Sequence, residues 1–259
     1  MIQAGPLMIG YGGAGNGLGG DSTIKMEHVS KSFGDLQVLD GFSYTFRQGE
    51  FVCVCGPSGI GKTTILQLIA GLQQPGAGLV DRTSHNIGYV FQEPRLIPWC
   101  SVLENIETGL HHIMPEAKSE RRRIAAEMAH RVGLDGFQAY YPAQLSGGMK
   151  QRVSLARAFA VEPDILLLDE PFSSLNVELR EAMCCYLLQL LALKPCTTVM
   201  VTHTLEDAVR LADRLIYLHE RPCEISLEYD LDKPAAERDM QYIFQQMQAI
   251  SERLKTNKI

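Results

Sequence analysis

The stretch FVCVCGPSGIGKTT, residues 51–64, determines how the rest of the chain is interpreted. Its first five residues are apolar and predict a short buried strand. Glycines at positions 56, 59 and 61 then form a turn, and a helix is predicted from Lys62 to about Leu72. A strand, a glycine-rich turn of this spacing and a helix together predict a loop that wraps around a phosphate group.

The residue types in this turn suit a bound nucleotide. Glycines let the backbone curl so that successive N–H groups point at phosphate oxygens, and the helix N-terminus adds partial positive charge. Lys62 places a cation near the outer phosphates, and the Thr63 hydroxyl can ligate Mg²⁺. The residues predicted to bind nucleotide here are Gly56, Pro57, Ser58, Gly59, Ile60, Gly61, Lys62, Thr63 and Thr64.

Two acidic residues follow a second apolar run at positions 165–168. A buried strand delivers its carboxyl end to the edge of the sheet, so Asp169 and Glu170 are expected beside the phosphate loop. We predict that Asp169 belongs to the Mg²⁺ shell. Glu170 is predicted to polarise the water that attacks the γ-phosphate in line.

Further strand-like runs alternate with helical segments along the chain. They cover residues 24–29, 38–46, 197–201 and 215–218, while residues 115–160 have helical periodicity that is interrupted at Pro142 and at Gly147-Gly148. This alternation predicts an α/β fold with a mainly parallel sheet and crossover helices.

Composition narrows the function classes. The net charge of −6 argues against nucleic acid as the main partner, which usually selects a basic surface. No apolar run approaches the roughly 18 residues needed to span a bilayer, and no secretory signal is predicted. The seven cysteines lack the C-x₂-C spacing of a zinc site and are interpreted as small hydrophobic residues in a reducing compartment.

Domain boundaries are predicted from composition. Residues 1–22 contain eight glycines and are expected to form a flexible tail. Gly15, Gly17 and Gly20 match G-x-G-x-x-G, but no strand precedes them and no helix follows, so they predict no dinucleotide site. We expect a nucleotide-hydrolysing domain over 23–235, with a helical subdomain at about 100–160, and a C-terminal helix over 236–259.

The motif LSGGMKQR at residues 145–152 precedes the acidic pair, with Ser146 and Asp169 separated by 23 positions (169 − 146). A serine and two glycines at a helix start offer a hydroxyl and bare N–H groups to an anion. In this order, after the phosphate loop, the motif resembles the signature of the ATP-binding cassette (ABC) ATPases. The resemblance covers about residues 24–222.

This resemblance implies a fold and a set of roles. The fold would be a P-loop NTPase of ABC type, with a mainly parallel sheet core, an antiparallel β subdomain and a helical signature subdomain. Phe33 would stack on adenine, Gln92 would reach the Mg²⁺ and the water, and His203 would contact the γ-phosphate. Two copies would pair head to tail, so that the signature of one closes over the ATP held by the other. The signature residues are Ser146, Gly147 and Gly148.

Two positions depart from the family pattern. Asn176 stands where the family usually has aspartate, in a loop that crosses the dimer interface, so coupling between the two sites could be weaker. Thr204 stands where aspartate often follows the histidine. Neither change removes a catalytic group, so hydrolysis is still expected.

Two segments resemble the nitrate, sulfonate and taurine importer group: FQEPRLIPWCSVLENI at 91–106 and YPAQLSGGMKQR at 141–152. By this resemblance, Arg95, Leu96 and Trp99 would face the coupling helix of a transmembrane permease. An exposed aromatic residue near an arginine suits an interface hot spot. The implied location is the cytoplasmic face of the cell membrane, with a substrate-binding protein as an indirect partner. The transported solute is set by other subunits.

Two alternatives remain open. A soluble ABC ATPase acting on chromosomes or ribosomes would usually show a long coiled coil or two tandem cassettes, whereas this sequence has one motif set. A nucleotide-gated interaction subunit with little hydrolysis is supported only by Asn176 and Thr204. An ATPase assay separates that alternative from the others.

Overall fold

The computed structural model describes residues 22–173 and 175–256. The predicted tail, with Gly15, Gly17 and Gly20, lies outside these residues apart from Ser22, which begins the first strand. The strands of the described part are β1 (Ser22–Phe33), β2 (Leu36–Arg47), β3 (Phe51–Cys55), β4 (Ala77–Arg82), β5 (Ile87–Val90), β6 (Ile165–Asp169), β7 (Thr197–Thr202), β8 (Arg214–His219) and β9 (Glu224–Asp230). The α-helices are α1 (Lys62–Ala70), α2 (Val102–Glu107), α3 (Lys118–Arg131), α4 (Gly147–Ala160), α5 (Val177–Leu193), α6 (Leu205–Leu211) and α7 (Met240–Thr256).

The larger sheet has six strands in the order β5-β6-β7-β3-β8-β9. The first five run parallel, and β9 pairs antiparallel with β8. Strands β3, β6 and β7 are buried along their whole length, as expected for central parallel strands covered on both faces. The predicted α/β fold with a mainly parallel sheet is confirmed.

A smaller antiparallel sheet has the order β2-β1-β4. Strands β1 and β2 extend the apolar runs predicted at 24–29 and 38–46. Sequence patterns did not predict β4, β5 or β9. Strand β4 is largely exposed, β5 has only four residues, and β9 is mostly polar on a sheet edge, so each lacks the apolar alternation that marks a strand.

Side chains of the larger sheet alternate between two apolar cores, because successive strand residues point to opposite faces. Cys53 and Cys55 of β3 join the core formed with helices α2 to α5. Val52 and Val54 join the core formed with α1 and the smaller sheet. The seven cysteines are all free, and five of them are buried as expected for small hydrophobic residues, whereas Cys100 is partly buried and Cys185 is exposed.

A helical layer of α2, α3 and α4 packs on the first of these cores. Ser101 begins α2 with a capping box, since its hydroxyl accepts from the Glu104 N–H and the Glu104 carboxylate accepts from the Ser101 N–H. The last helix, α7, packs against α6 and β9 through Ile243 and Ile250, both fully or almost fully buried. Within the described ranges, every helix is too short or too polar to cross a bilayer.

Candidate functional site

The parallel strands bring the predicted site residues to one edge of the larger sheet. Cys55, the last residue of β3, pairs with Thr202 at the end of β7, and Asp169 at the end of β6 pairs with Val201. Val90 at the end of β5 pairs with Leu168. The phosphate loop, the acidic pair, His203 and Gln92 each follow one of these strand ends, so the sheet topology places all four beside one another.

Glycine is required in the phosphate loop for two reasons. Gly56, Gly59 and Gly61 have φ values of 150°, 76° and 124°, which L side chains rarely adopt. A Cβ on Gly61 would also clash with the Val38 side chain, and one on Gly56 would lie 2.7 Å from the Leu218 carbonyl oxygen. The loop is therefore packed closely against β2 and β8.

Lys62 curls back over the loop from the start of α1. Its Nζ donates to the Gly56 carbonyl at 2.9 Å and to the Pro57 carbonyl at 2.8 Å. The side chain is buried, and burial lowers the pKa of the ammonium while the charges of Glu170 and Asp169 act in the opposite direction. The loop thus holds a desolvated cation at its centre.

Thr63 and Asp169 meet directly, because the Thr63 hydroxyl donates to Asp169 Oδ1 at 2.9 Å. The Tyr89 hydroxyl donates a long hydrogen bond, 3.5 Å, to the other carboxylate oxygen, Asp169 Oδ2. Burial raises the pKa of Asp169, and the Thr63 hydrogen bond partly offsets that rise. A hydroxyl and a carboxylate at this distance are the hard oxygen donors that Mg²⁺ prefers.

Glu170 and His203 form the second contact of the site, with 3.1 Å between Glu170 Oε2 and His203 Nδ1. Glu170 has a φ of 43°, an unfavourable value for a residue with a Cβ. Its backbone is held in place by hydrogen bonds from its N–H to the Val201 carbonyl at 3.0 Å and from the Ser173 hydroxyl to its own carbonyl at 3.1 Å. A strained residue that its neighbours fix in this way is typical of a functional position.

Phe33 and Gln92, the two remaining predicted contacts of the nucleotide and its Mg²⁺, are both exposed. Phe33 ends β1 with 46% of its surface exposed, so its ring is free to stack on a base. Lys31 Nζ lies 5.3 Å from the centre of that ring. Gln92 comes two residues after β5, the strand that pairs with β6 and so lies next to Asp169.

Ser146 caps α4 and does not join the loop of its own chain. Its hydroxyl accepts from the Met149 N–H at 3.2 Å, and both Ser146 and Gly147 are exposed. Gly148 is buried, and a Cβ there would lie 3.1 Å from the Leu179 side chain. Among the residues that the structure describes, no hydrogen bond links this segment to residues 56–64.

Of the two departures from the family pattern, only Asn176 caps a helix with its side chain. Asn176 caps α5, where its Oδ1 accepts from the Leu179 N–H at 3.0 Å, as an aspartate at this position would. Thr204 begins α6 without a side-chain cap, and its N–H donates to the Thr202 hydroxyl at 3.1 Å.

Two residues near the site were not predicted. Tyr89 reaches Asp169 only because β5 pairs with β6, and no sequence pattern identifies β5. The Cys223 thiol donates to the Ile60 carbonyl of the phosphate loop at 2.7 Å, from the turn between β8 and β9. A lone cysteine 163 positions from its partner gives no local signal.

Comparisons with known proteins identify the family. A family model described as ABC transporter matches residues 39–173. An aliphatic sulfonates import ATP-binding protein of Rhodococcus jostii is 40% identical over 218 residues, which are 82% of this chain and 86% of that protein. A nitrate import ATP-binding protein of a Synechocystis species is 39% identical over 211 residues, covering 79% of each chain.

A solved structure supports the same assignment. It is a dimeric ATP-binding cassette in a post-hydrolysis state bound to ADP and Pi, with a TM-score of 0.73 and 33% identity. The match covers 81% of this chain and 99% of that one. The chain therefore belongs to the ABC transporter family and is an ATPase.

Proposed function

We propose that this chain is the ATP-hydrolysing subunit of an importer for nitrate, a sulfonate, taurine or a related small solute. Relatives named for the import of aliphatic sulfonates and of nitrate support the solute class. The observation that carries the catalytic part is the pair of contacts at one sheet edge, Thr63 with Asp169 and Glu170 with His203.

The residues at this edge fit Mg²⁺. Thr63, Asp169 and Gln92 would hold the ion, and bound Mg²⁺ would neutralise charge on the phosphate oxygens. The described residues contain no cluster of three or more His, Cys, Asp or Glu suited to a metal. That composition agrees with Mg²⁺, which usually takes one or two protein ligands and fills the other positions with water and substrate phosphates.

The remaining residues bind the nucleotide or act on the attacking water. Phe33 stacks on the adenine, and the N–H groups of the loop bind the phosphates together with Lys62. Glu170 accepts a proton from the attacking water, while His203 holds the Glu170 carboxylate through Nδ1 and contacts the γ-phosphate. Gln92 contacts the same water from the end of β5.

The working unit is a head-to-tail dimer of this chain. Ser146 and Gly147 present a capped helix start to solvent, away from the hydrogen bonds of their own loop. We infer that Ser146, Gly147 and Gly148 close over the nucleotide of the second copy. The dimeric form of two solved relatives supports the pairing of two copies.

Residues 91–101 form the surface that receives the permease. Trp99 is 79% exposed. The preceding part of this loop is held by Arg157, which donates to the Pro94 carbonyl at 2.8 Å and to the Arg95 carbonyl at 3.1 Å. A rigid loop with an exposed Trp, an exposed Arg95 and the partly buried Leu96 suits a protein interface. The chain would then lie at the cytoplasmic face of the membrane and meet the substrate-binding protein only through the permease.

We propose residues 23–235 as the ATPase domain, with its helical subdomain at about 100–160. The C-terminal segment 236–259 would be a helical extension attached through Ile243 and Ile250.

Reconstitution tests the proposal. The chain, reconstituted with its permease and a solute-binding protein, should hydrolyse ATP faster when nitrate, a sulfonate or taurine is added. Trp99→Ala should remove this stimulation and leave the basal ATPase rate of the isolated chain unchanged. Phe244→Ala, which truncates an exposed aromatic residue on α7, is the matched control. Hydrolysis that does not respond to any member of the class would contradict the proposed solute class.

A further inference from the structure

The turn between β8 and β9, residues 219–223, is docked on the phosphate loop. The Cys223 thiol donates to the Ile60 carbonyl at 2.7 Å, and the Cys223 N–H donates to the Val38 carbonyl at 2.9 Å. At the start of the turn, the Leu218 carbonyl packs against Gly56. The position of the turn relative to the loop is therefore fixed on both sides.

Arg221 lies in the middle of this turn and reaches the loop. A Cβ on Gly59 would be 2.9 Å from Arg221 Nη2, so the guanidinium lies directly against the backbone of that glycine. The side chain is exposed, and it makes no hydrogen bond or ion pair with another described residue. The neighbouring carboxylate contacts a different residue, since Glu220 Oε1 lies 3.5 Å from His219 Nδ1.

The chemistry of this position indicates an anionic ligand. Two cations, Lys62 and Arg221, adjoin one loop whose N–H groups are suited to phosphate. Lys62 is already engaged by loop carbonyls, whereas Arg221 has its donors free. A guanidinium binds phosphate oxygens through two parallel N–H groups, and a fixed turn reduces the entropy lost on binding.

We propose that Arg221 binds the phosphate groups of the nucleotide held by its own chain, as a second cation of the site. This inference rests on the proposed nucleotide site. Arg221 is a binding residue rather than a proton donor or acceptor, and its contribution grows with the negative charge of the ligand.

Competition binding against a fluorescent ATP analogue tests the proposal. Arg221→Gln should lower the affinity for ATP and for ADP by about 3–10-fold, as expected for one exposed charge-assisted contact. The affinity for adenosine should stay unchanged. Arg221→Lys should recover part of the loss. Raising the salt concentration should shrink the difference between wild type and Arg221→Gln.

Arg47→Gln is the matched control, because Arg47 is exposed at the far end of β2 from Val38. It should leave all three affinities unchanged. An equal loss for ATP and adenosine in Arg221→Gln would indicate disruption of the whole site and overturn the proposal. A loss for ATP that neither Arg221→Lys recovers nor salt reduces would indicate a distorted loop and would also overturn it. So would unchanged affinities combined with weaker ATP-dependent dimerisation, which would assign Arg221 to the partner copy.

Lys62→Ala, measured alongside, separates the two proposals. If Lys62→Ala lowers the affinity for ATP and Arg221→Gln does not, the proposed nucleotide site is supported and the proposed role of Arg221 is wrong. If neither variant changes ATP affinity, the nucleotide site itself is wrong.

Discussion

His203 Nδ1 lies 3.1 Å from Glu170 Oε2, although the two residues are 33 positions apart in the chain. The contact exists because Glu170 follows β6 and His203 follows β7, and these strands are neighbours in the sheet. The left-handed backbone of Glu170 is part of the same arrangement, since its N–H donates to Val201 on β7. The histidine therefore orients the carboxylate that we assign as the general base.

Glu170→Gln should keep ATP affinity and reduce turnover by about 10²–10⁴-fold, the usual loss when a general base is removed. The amide keeps the shape of the side chain but accepts no proton. ATP should remain trapped, and dimers should accumulate with Mg-ATP in size-exclusion chromatography. Glu116→Gln, at an exposed position two residues before α3, serves as the control. Turnover within a few-fold of wild type would refute the role of Glu170.

Phe33→Ala should lower the affinities for ATP, ADP and adenosine by the same factor. Stacking on one base is worth about 1–3 kcal/mol, and it depends on the ring rather than on the phosphates. This pattern is the opposite of that expected for Arg221→Gln. Phe244→Ala removes an exposed aromatic ring on α7 and should change no affinity. An unchanged dissociation constant in Phe33→Ala would return Phe33 to a purely structural role.

Asp169→Asn should abolish hydrolysis and raise stability at neutral pH. Burial raises the pKa of Asp169 above 3.8, so the folded state favours the protonated carboxyl and wild type loses stability as pH rises from 3.8 through the folded pKa. Asparagine carries no charge and avoids this loss. Urea unfolding should show the stability gain at pH 7 and no gain below pH 3.8, where both proteins are neutral at this position. A variant less stable than wild type at pH 7 would show that the ionised carboxylate stabilises the fold.

The centre of the site was predictable because it consists of local patterns. The loop glycines, Lys62 and the acidic pair each follow or precede an apolar run that identifies its strand or helix. The Tyr89 contact with Asp169 spans 80 positions and depends on β5, a four-residue strand. Such contacts are created by strand pairing, which single-sequence patterns do not encode.

The same reasoning explains why the turn that carries Arg221 and Cys223 was missed. Its place beside the loop depends on β8 pairing with β3 and then reversing into β9. Strand β9 is polar on a sheet edge and gives no apolar alternation. The antiparallel sheet and the helical signature segment were predicted through the family resemblance rather than from periodicity alone.

Cys223→Ala should raise the KM for ATP a few-fold with a smaller change in kcat, because the thiol supports the loop through the Ile60 carbonyl. Burial raises the pKa of this thiol to about 11, so it remains a protonated donor at neutral pH. Cys223→Ser keeps a donor and should restore much of the affinity. Cys196→Ala, at a buried cysteine on the opposite edge of the sheet, is the matched control. Equal KM values for the Ala and Ser variants would mean that packing, not the hydrogen bond, matters.

Ser146 is predicted to serve the nucleotide of the partner copy, and mixing two inactive variants tests this. Lys62→Ala damages the phosphate loop, and Ser146→Arg damages the signature. In their heterodimer one composite site carries both lesions, while the other joins an intact loop to an intact signature. With random two-fold pairing, half the dimers are mixed and each has one intact site of two, so about a quarter of wild-type activity should return.

If the signature acted on its own chain, every site in the mixture would stay damaged and no activity would return. Strict cooperation between the two sites would also give no turnover, so ATP-dependent dimerisation must be measured in the same mixture. An intact composite site should still hold the two chains together when Mg-ATP is present, even if turnover requires both sites. The shared site is refuted when neither activity nor dimerisation rises above that of the single variants, because an intact loop facing an intact signature would then have no effect.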